Sequence, residues 1–579
     1  MTTQQITVSD YLIRRLREHD VRHIFAVPGD YIGDFLDVVD EADGVERIAT
    51  VNELEAGFAA DGYARSCGLS CVALQYGVGT YSALNAIAGA MRERVPIVLV
   101  TGAPSATARE HLESYGIVFH HSTSEDMDVD ARVFANVTVA TEVIKSAEGA
   151  AEAIDRALAE ALAQQAPVYI QIWKDVQRAK IDPPTGPMPV KKPPASWPDA
   201  INAALDATVA RLKAAKHPVF WVGLEMQRLG MNEELSRLIH VSGIPFTTTI
   251  QAKGIVKETD PMHFGTFAGA ASSKDVIDIM HNADLILELG AIPIDYYKNF
   301  VIEKFDQTVS VQRDLVRIGS AKYDGVHFRD FVTALIQRFE DDPSLRGGTT
   351  GMMRPLTRPD PDTAPLTYEN TFHELNRRLQ DETGVFCDLG ISMFMGARLE
   401  IKRANGFTCQ SDWMSLGYAV PGALGFALHD GRPLFAIAGD GSFQMTAQAL
   451  STYARLTREW KRDPSFHITI LVIDNGTYGL EQCFTGLGAF IEKKDGTGYE
   501  ENFDDYNLLA RWDYANMAES LGLVGVRADT VGDLKTALDD ARKNTVPTLI
   551  QTKVDKHDLP PELFALVASF KPKQPPPEA

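Results

Sequence analysis

Phe435 to Ala438 and Ile468 to Ile473 are apolar almost end to end rather than alternating with polar residues, and strands of that kind must be covered on both faces. Parallel sheets between layers of helices satisfy that demand. The same signature recurs in Ile24–Val27, Cys71–Leu74, Ile97–Thr101 and Val168–Trp173, in Val219–Val222, Phe246–Ile250 and Leu285–Leu289, and again in Val385–Cys387 and Thr548–Val554. Two proline-crowded stretches, Ile181 to Pro198 and Pro343 to Pro365, divide these runs into three sets and read as linkers. At 579 residues the chain is too long for one hydrophobic core. The expected architecture is α/β, with three doubly wound parallel-sheet domains over residues 1–180, 200–342 and 366–570. In such sheets ligands bind beyond the carboxyl ends of strands, where Asp30, Gly77, Gly102, Gly290, Asp388, Asp440 and Asn475 fall.

Charge and cysteine usage narrow the function classes. A formal net charge of −22 argues against nucleic acid and anionic membranes as partners, since both need clustered Lys and Arg. Five cysteines, Cys67, Cys71, Cys387, Cys409 and Cys483, are an odd number without metal-type spacing beyond the loose first pair, and read as reduced thiols. Met1 to Val8 lacks a basic, apolar leader, and no apolar stretch approaches the length of a membrane span. A cytoplasmic protein is expected. The proline-rich tail from Lys571 to Ala579 reads as a flexible end.

Two strand ends carry chemistry. Gly439-Asp440-Gly441-Ser442 follows one apolar run and Asp474-Asn475-Gly476-Thr477 the next. Each offers an oxygen ligand beside glycine, which suits a small hard cation and close approach of backbone N–H groups to phosphate, hence a magnesium diphosphate. A phosphate site alone does not need the polar residues far upstream. Asp30, in Val27-Pro28-Gly29-Asp30-Tyr31, is by its run alone as readily a turn or helix N-cap aspartate. Glu53 opens a helical pattern in which a first-turn glutamate beside the helix dipole is common. Gly77-Val78-Gly79-Thr80 reads as a tight loop, and His120-His121 as a loop pair that, to ligate a metal, needs a third partner the spacing does not supply.

Taken together, Pro-Gly-Asp-Tyr at 28–31, Asn-Glu-Leu-Glu-Ala-Gly-Phe-Ala-Ala-Asp-Gly-Tyr-Ala-Arg at 52–65, Gly-Val-Gly-Thr at 77–80, His-His-Ser-Thr at 120–123 and Gly-Asp-Gly-Ser at 439–442 resemble the thiamine-diphosphate-dependent 2-oxo acid decarboxylases. The likeness is to the pyruvate, indolepyruvate, phenylpyruvate and branched-chain group, and covers nearly the whole chain. It implies a pyrimidine-binding, a middle and a diphosphate-binding domain, in that order. It implies that Asp440, Asn475 and the carbonyl of Thr477 hold magnesium, that Gly390, Ser392, Gly441, Ser442 and Tyr478 contact the cofactor, and that Leu416 wedges beneath it to keep it bent. Glu53 is implied to hydrogen-bond the aminopyrimidine, with Asp30, His120, His121 and Glu481 as a proton network. The implied reaction turns a 2-oxo acid into an aldehyde and carbon dioxide through a cofactor ylide and an enamine. In the family, Asp30, Glu53 and the histidines meet the diphosphate domain of a partner subunit, so a homodimer is the implied minimum and a homotetramer the expected state.

Several positions depart from the group. The usual Asn-Asn pair is Asp474-Asn475, and the 35 positions from Asp440 to Asn475 hold an extra charged stretch, Arg455 to Asp463. Asn475 to Gly479 and Leu416 look more like benzoylformate decarboxylase. Leu389, Met393, Leu480 and Phe484 match positions that shape the substrate pocket and carry no charge, which favours an aliphatic or aromatic substrate. Three alternatives stand beside the main reading: a carboligase of the acetolactate-synthase or benzoylformate-decarboxylase type, a non-catalytic cofactor-binding relative, and a nucleotide site in the middle domain, whose Gly223 and Gly290 end strands but lack a dinucleotide fingerprint.

Overall fold

The computed structural model describes residues 4–347, 360–460 and 467–570. Residues 1–3, 348–359 of the second linker, 461–466, which take in the end of the charged stretch, and 571–579 of the tail lie outside the described residues. The chain forms three α/β domains, each around a mainly parallel sheet. The first sheet runs, in spatial order, Glu46–Ala49, His23–Ala26, Ser70–Gln75, Ile97–Ala103, Val168–Trp173 and Ala140–Ile144. The third runs Phe407–Thr408, Gly384–Cys387, Leu434–Gly439, Ile468–Asp474, Thr548–Lys553 and Val524–Ala528. All neighbours in both are parallel, and the two share one strand order, 2-1-3-4-6-5.

The middle sheet differs from the sequence expectation. Five parallel strands, His263–Thr266, Phe246–Thr248, Pro218–Val222, Leu285–Leu289 and Thr308–Gln312, are extended by an antiparallel hairpin, Leu315–Ile318 and Ala321–Asp324. The hairpin escapes a search for apolar runs because it is an edge with one wet face: Ala321, Lys322 and Asp324 are exposed. The strand read as Phe246–Ile250 stops at Thr248, and Gly102 lies inside its strand rather than beyond it. At the end of Pro218–Val222 the backbones close up, since a Cβ on Gly223 would lie 2.1 Å from Ala291 Cα, and beyond it a cavity is lined by Glu225, Ala291, Ile292 and Arg313.

The first and third domains are joined through equivalent helices. Glu53–Cys67 and Ala419–Asp430 each connect the second and third strands of their own domain, and they pack backbone to backbone. A Cβ on Gly62 would sit 1.9 Å from Gly422 O, and one on Gly425 would sit 1.8 Å from Ala59 O. The Ala- and Gly-rich sequence of 52–65 is thus what close helix approach requires. Around this contact Tyr418 donates its hydroxyl to Asp61 Oδ1 at 2.6 Å, and Arg65 donates to the same oxygen at 2.6 Å. The middle domain is locked to the third by a buried ion pair: Lys253 Nζ lies 2.8 Å from Glu258 Oε2 and donates to Leu399 O at 2.7 Å, while Ile401 N donates to Glu258 Oε2 at 2.7 Å.

Candidate active site

Three strand ends of the third domain converge on one cavity. Gly384–Cys387 leads into Leu389, Gly390, Ile391 and Ser392, Leu434–Gly439 into Asp440, Gly441 and Ser442, and Ile468–Asp474 into Asn475, Thr477 and Tyr478, all lining it with Leu416, Leu480 and Glu481. Short helices, Ile391–Gly396, Asp440–Thr446 and Gly479–Thr485, start at this wall. Gly390 has φ +124° with nothing within 4 Å of where a Cβ would project, so the cavity floor there is bare backbone.

Asp440 is buried and accepts from Gly441 N at 2.9 Å and Gly476 N at 2.6 Å. Burial pushes its carboxyl up to about 7 in spite of these two donors. Asn475 Oδ1 accepts from Thr477 N at 3.0 Å, and its amide donates to the Tyr368 hydroxyl at 3.1 Å. Thr477 Oγ1 is buried without a hydrogen-bond partner. A carboxylate, an amide oxygen and a carbonyl, with a dissatisfied buried acid among them, are the donor set of a small hard cation.

Leu416 stands between two clamps. Behind it, the Asp388 carboxylate accepts from Leu389 N at 3.2 Å, Gly417 N at 3.1 Å, Tyr418 N at 3.3 Å and Ala419 N at 3.4 Å, capping the helix Ala419–Asp430 from a neighbouring strand end. Burial pushes that carboxyl up to about 7 in spite of these donors. Ahead of it, Glu93 Oε1 accepts from Asp412 N at 2.8 Å and Trp413 N at 3.2 Å, and Asn85 bonds both Trp413 Nε1 and Ser415 Oγ at 2.8 Å. Sequence reasoning placed Asp388 at a strand end without a task, and it missed Glu93, Asn85 and Tyr368, whose partners lie more than a hundred positions away.

The first-domain residues form a second cluster. Asp30 lies in a turn before the helix Gly33–Glu41 and does not cap it; its Oδ2 is 3.0 Å from His120 Nε2 and its Oδ1 is 3.9 Å from His121 Nε2. Asp30 is thus the third partner that the histidine pair lacked in the sequence. Glu53 is the first residue of its helix, capped by Asn52, whose side chain accepts from Glu55 N at 2.9 Å. Its carboxylate lies against Gly79, where a Cβ would be 3.4 Å from Oε1. Gly77–Thr80, expected as a tight loop, instead opens the short helix Val78–Ser82, and buried Asp130 anchors it, accepting from Thr80 Oγ1 at 2.8 Å and from the Tyr169 hydroxyl at 2.6 Å.

The structure therefore gathers Gly390, Ser392, Leu416, Asp440, Gly441, Ser442, Asn475, Thr477, Tyr478 and Glu481 around one cavity, and Asp30, His120 and His121 around another point, with Glu53 beside Gly79. Among the described residues, none of the first domain lines the cavity. Of the four apolar pocket positions, Leu389 and Leu480 line it; Met393 is buried in the core, and Phe484 turns outward against Phe570, their rings 5.5 Å apart.

Thiamine pyrophosphate enzyme family models match along the chain: the N-terminal TPP binding domain over residues 6–131, the central domain over 205–338 and the C-terminal TPP binding domain over 388–552. Among curated proteins, a pyruvate decarboxylase of Neurospora crassa is 30% identical over 577 residues, covering 97% of this chain and 96% of its own. An alpha-keto-acid decarboxylase of Mycobacterium tuberculosis is 30% identical over 579 residues, 98% of each chain. Pyruvate decarboxylase 2 of Oryza sativa subsp. japonica is 31% identical over 532 residues, 89% of this chain and 82% of its own.

Proposed function

The chain belongs to the thiamine pyrophosphate enzymes, and from that premise we propose that it catalyses the non-oxidative decarboxylation of an aliphatic or aromatic 2-oxo acid to an aldehyde and carbon dioxide. The observation that carries the reading is the convergence of Asp440, Asn475 and Thr477 with the Gly390 floor in one cavity of the domain matched as C-terminal TPP-binding. Asp440, the Asn475 side chain and the Thr477 carbonyl would hold magnesium, and a divalent charge there would relieve the buried Asp440. Gly390, Ser392, Gly441, Ser442 and Tyr478 would hold the diphosphate. Thiamine diphosphate, once bound, supplies the electron sink that lets the carboxylate leave as carbon dioxide.

The remaining chemistry falls to side chains. Leu416, braced by Asp388 behind and Glu93 and Asn85 ahead, would be the apolar wall against which the cofactor packs. Glu53 holds a proton on the aminopyrimidine, and Asp30, His120, His121 and Glu481 pass protons to the reacting carbon and the departing aldehyde. Leu389 and Leu480 offer the substrate an uncharged wall. The first-domain residues reach a cavity only if a second copy presents them. A homodimer is therefore the minimum assembly, with a homotetramer as the working state. Apolar residues left uncovered in one copy support this: Val51 and Val78, 47% and 59% exposed, flank Glu53 and Gly79, and Met445, Leu508 and Trp512, all above 40%, flank the third-domain cavity. We place the enzyme in the cytoplasm, where its five unpaired cysteines stay reduced. Among the described residues no helix is long and apolar enough to cross a membrane.

The test is aldehyde and carbon dioxide release from pyruvate, branched-chain 2-oxo acids, phenylpyruvate, indolepyruvate and benzoylformate with magnesium and cofactor, comparing the enzyme with Glu53→Gln. Cofactor-dependent aldehyde that collapses in the variant supports the proposal. Acyloin in place of aldehyde assigns the chain to carboligation instead, and the absence of turnover on every substrate refutes it.

A further inference from the structure

Asp30, His120 and His121 form a constellation that suits a borderline transition-metal ion better than it suits the magnesium of the diphosphate site. One oxygen of Asp30 and one ring nitrogen of each histidine lie within 4.8 Å of one another. The two carboxylate oxygens each face one ring: Asp30 Oδ2 lies 3.0 Å from His120 Nε2, and Oδ1 lies 3.9 Å from His121 Nε2. Ligands about 2.0–2.1 Å from a tetrahedral ion stand about 3.3 Å apart, so the three groups need only small side-chain adjustments to close on one centre.

The backbone holds the two imidazoles on one side. Successive residues in an extended chain point to opposite faces, so neighbouring histidines ordinarily diverge. His121 has φ +71°, and this left-handed turn swings both rings toward the same carboxylate, their centroids 4.4 Å apart. The turn is pinned underneath: the Tyr76 hydroxyl donates to His120 O, and His121 O approaches Gly77 so closely that a Cβ there would be 2.0 Å away. Lys174, the nearby cation, is engaged with the Asp30 carbonyl at 2.8 Å and does not bond its carboxylate. His120 and Asp30 side chains are 58% and 51% exposed, which leaves a fourth position open to water or a ligand atom.

We propose that Asp30, His120 and His121 bind one zinc ion per chain, separately from the magnesium site. Ligand chemistry sorts the two cations: imidazole suits Zn²⁺, whereas Mg²⁺ prefers the all-oxygen set of Asp440, Asn475 and Thr477. With the role proposed above for these residues, zinc occupancy ties up their lone pairs and inhibits turnover; the binding itself does not rest on that role.

The experiment uses the holoenzyme with saturating magnesium and thiamine diphosphate, titrated with zinc chloride by equilibrium dialysis and, in parallel, assayed for turnover. The expected result is one zinc per chain taken up without loss of magnesium, with affinity about a hundredfold weaker in both His120→Gln and His121→Gln and unchanged in Glu53→Gln. Cofactor binding measured on the same histidine variants shows whether they are folded. No zinc uptake, uptake that displaces magnesium, or equal uptake by folded histidine variants overturns the proposal. Zinc bound as expected without inhibition leaves the site standing and removes the histidine pair from the proton network.

Discussion

Gly425→Ala tests the helix contact that joins the first and third domains. The added methyl would sit 1.8 Å from Ala59 O and 2.6 Å from Ala59 C, against an ordinary carbon–oxygen contact of about 3.3 Å, so the two backbones must part by about 1.5 Å. Neither neighbour is a side chain able to rotate away. Alanine gains about 1 kcal/mol of helix propensity over glycine, and overpacking by a methyl costs about 1–3 kcal/mol, reaching or exceeding the top of that range where backbone meets backbone. The net expectation is a loss of about 2 kcal/mol. Gly33→Ala is the matched control: also helical, with nothing within 4 Å of its added Cβ, it should be neutral or gain up to about 1 kcal/mol. Urea unfolding followed by circular dichroism compares the two midpoints. Because the helix Ala419–Asp430 follows directly on Leu416 and the other helix begins at Glu53, the variant should also bind thiamine diphosphate more weakly. A Gly425→Ala protein with the wild-type midpoint and cofactor affinity would falsify the argument that glycine is there for close approach.

Asp388→Asn leaves one acceptor oxygen where a carboxylate met four N–H groups and turns an amide toward donors, so Leu416 should lose its brace and cofactor affinity should fall about ten- to a hundredfold; calorimetric titration decides, and unchanged affinity refutes the positioning role. Lys253→Met strands the buried Glu258 carboxylate and should lower stability by about 3–5 kcal/mol, visible as an early urea transition; a wild-type transition would mean that the pair is not sustained as an ion pair. Glu288, raised by burial to about 7 against the pull of the Ser310 hydroxyl, stays protonated in the fold at pH values where the unfolded chain has ionised it. The folded state therefore holds the extra proton between about 4.5 and 7, and stability falls as pH rises through that window, by at most about 3 kcal/mol. Glu288→Gln should flatten that part of the stability profile measured from pH 5 to 8, and parallel profiles would exclude Glu288 as the source.

Much of this protein was legible in its residues because burial is written locally. A strand covered on both faces has to be apolar along its length, so eleven of its runs announce three sheets, and ligand chemistry at strand ends follows from where those runs stop at Asp440 and Asn475. The edge hairpin at 315–324 was missed for the same reason, since one wet face breaks the apolar signature. What no local pattern encodes is which distant groups meet. His120 pairs with Asp30 across 90 positions, and Leu416 is held by Asp388 and by a loop fixed to Glu93 some 320 positions earlier. The sequence by itself determined the α/β class, the three domains and the residue types of the site. The tertiary structure decided that the third-domain cavity and the Asp30 cluster are separate points of one chain, and that the Asp388 and Glu93 carboxylates brace the backbone on either side of Leu416 in the cavity wall. Periodicity reports the surroundings of each element singly, whereas these contacts arise only when whole sheets and helices pack.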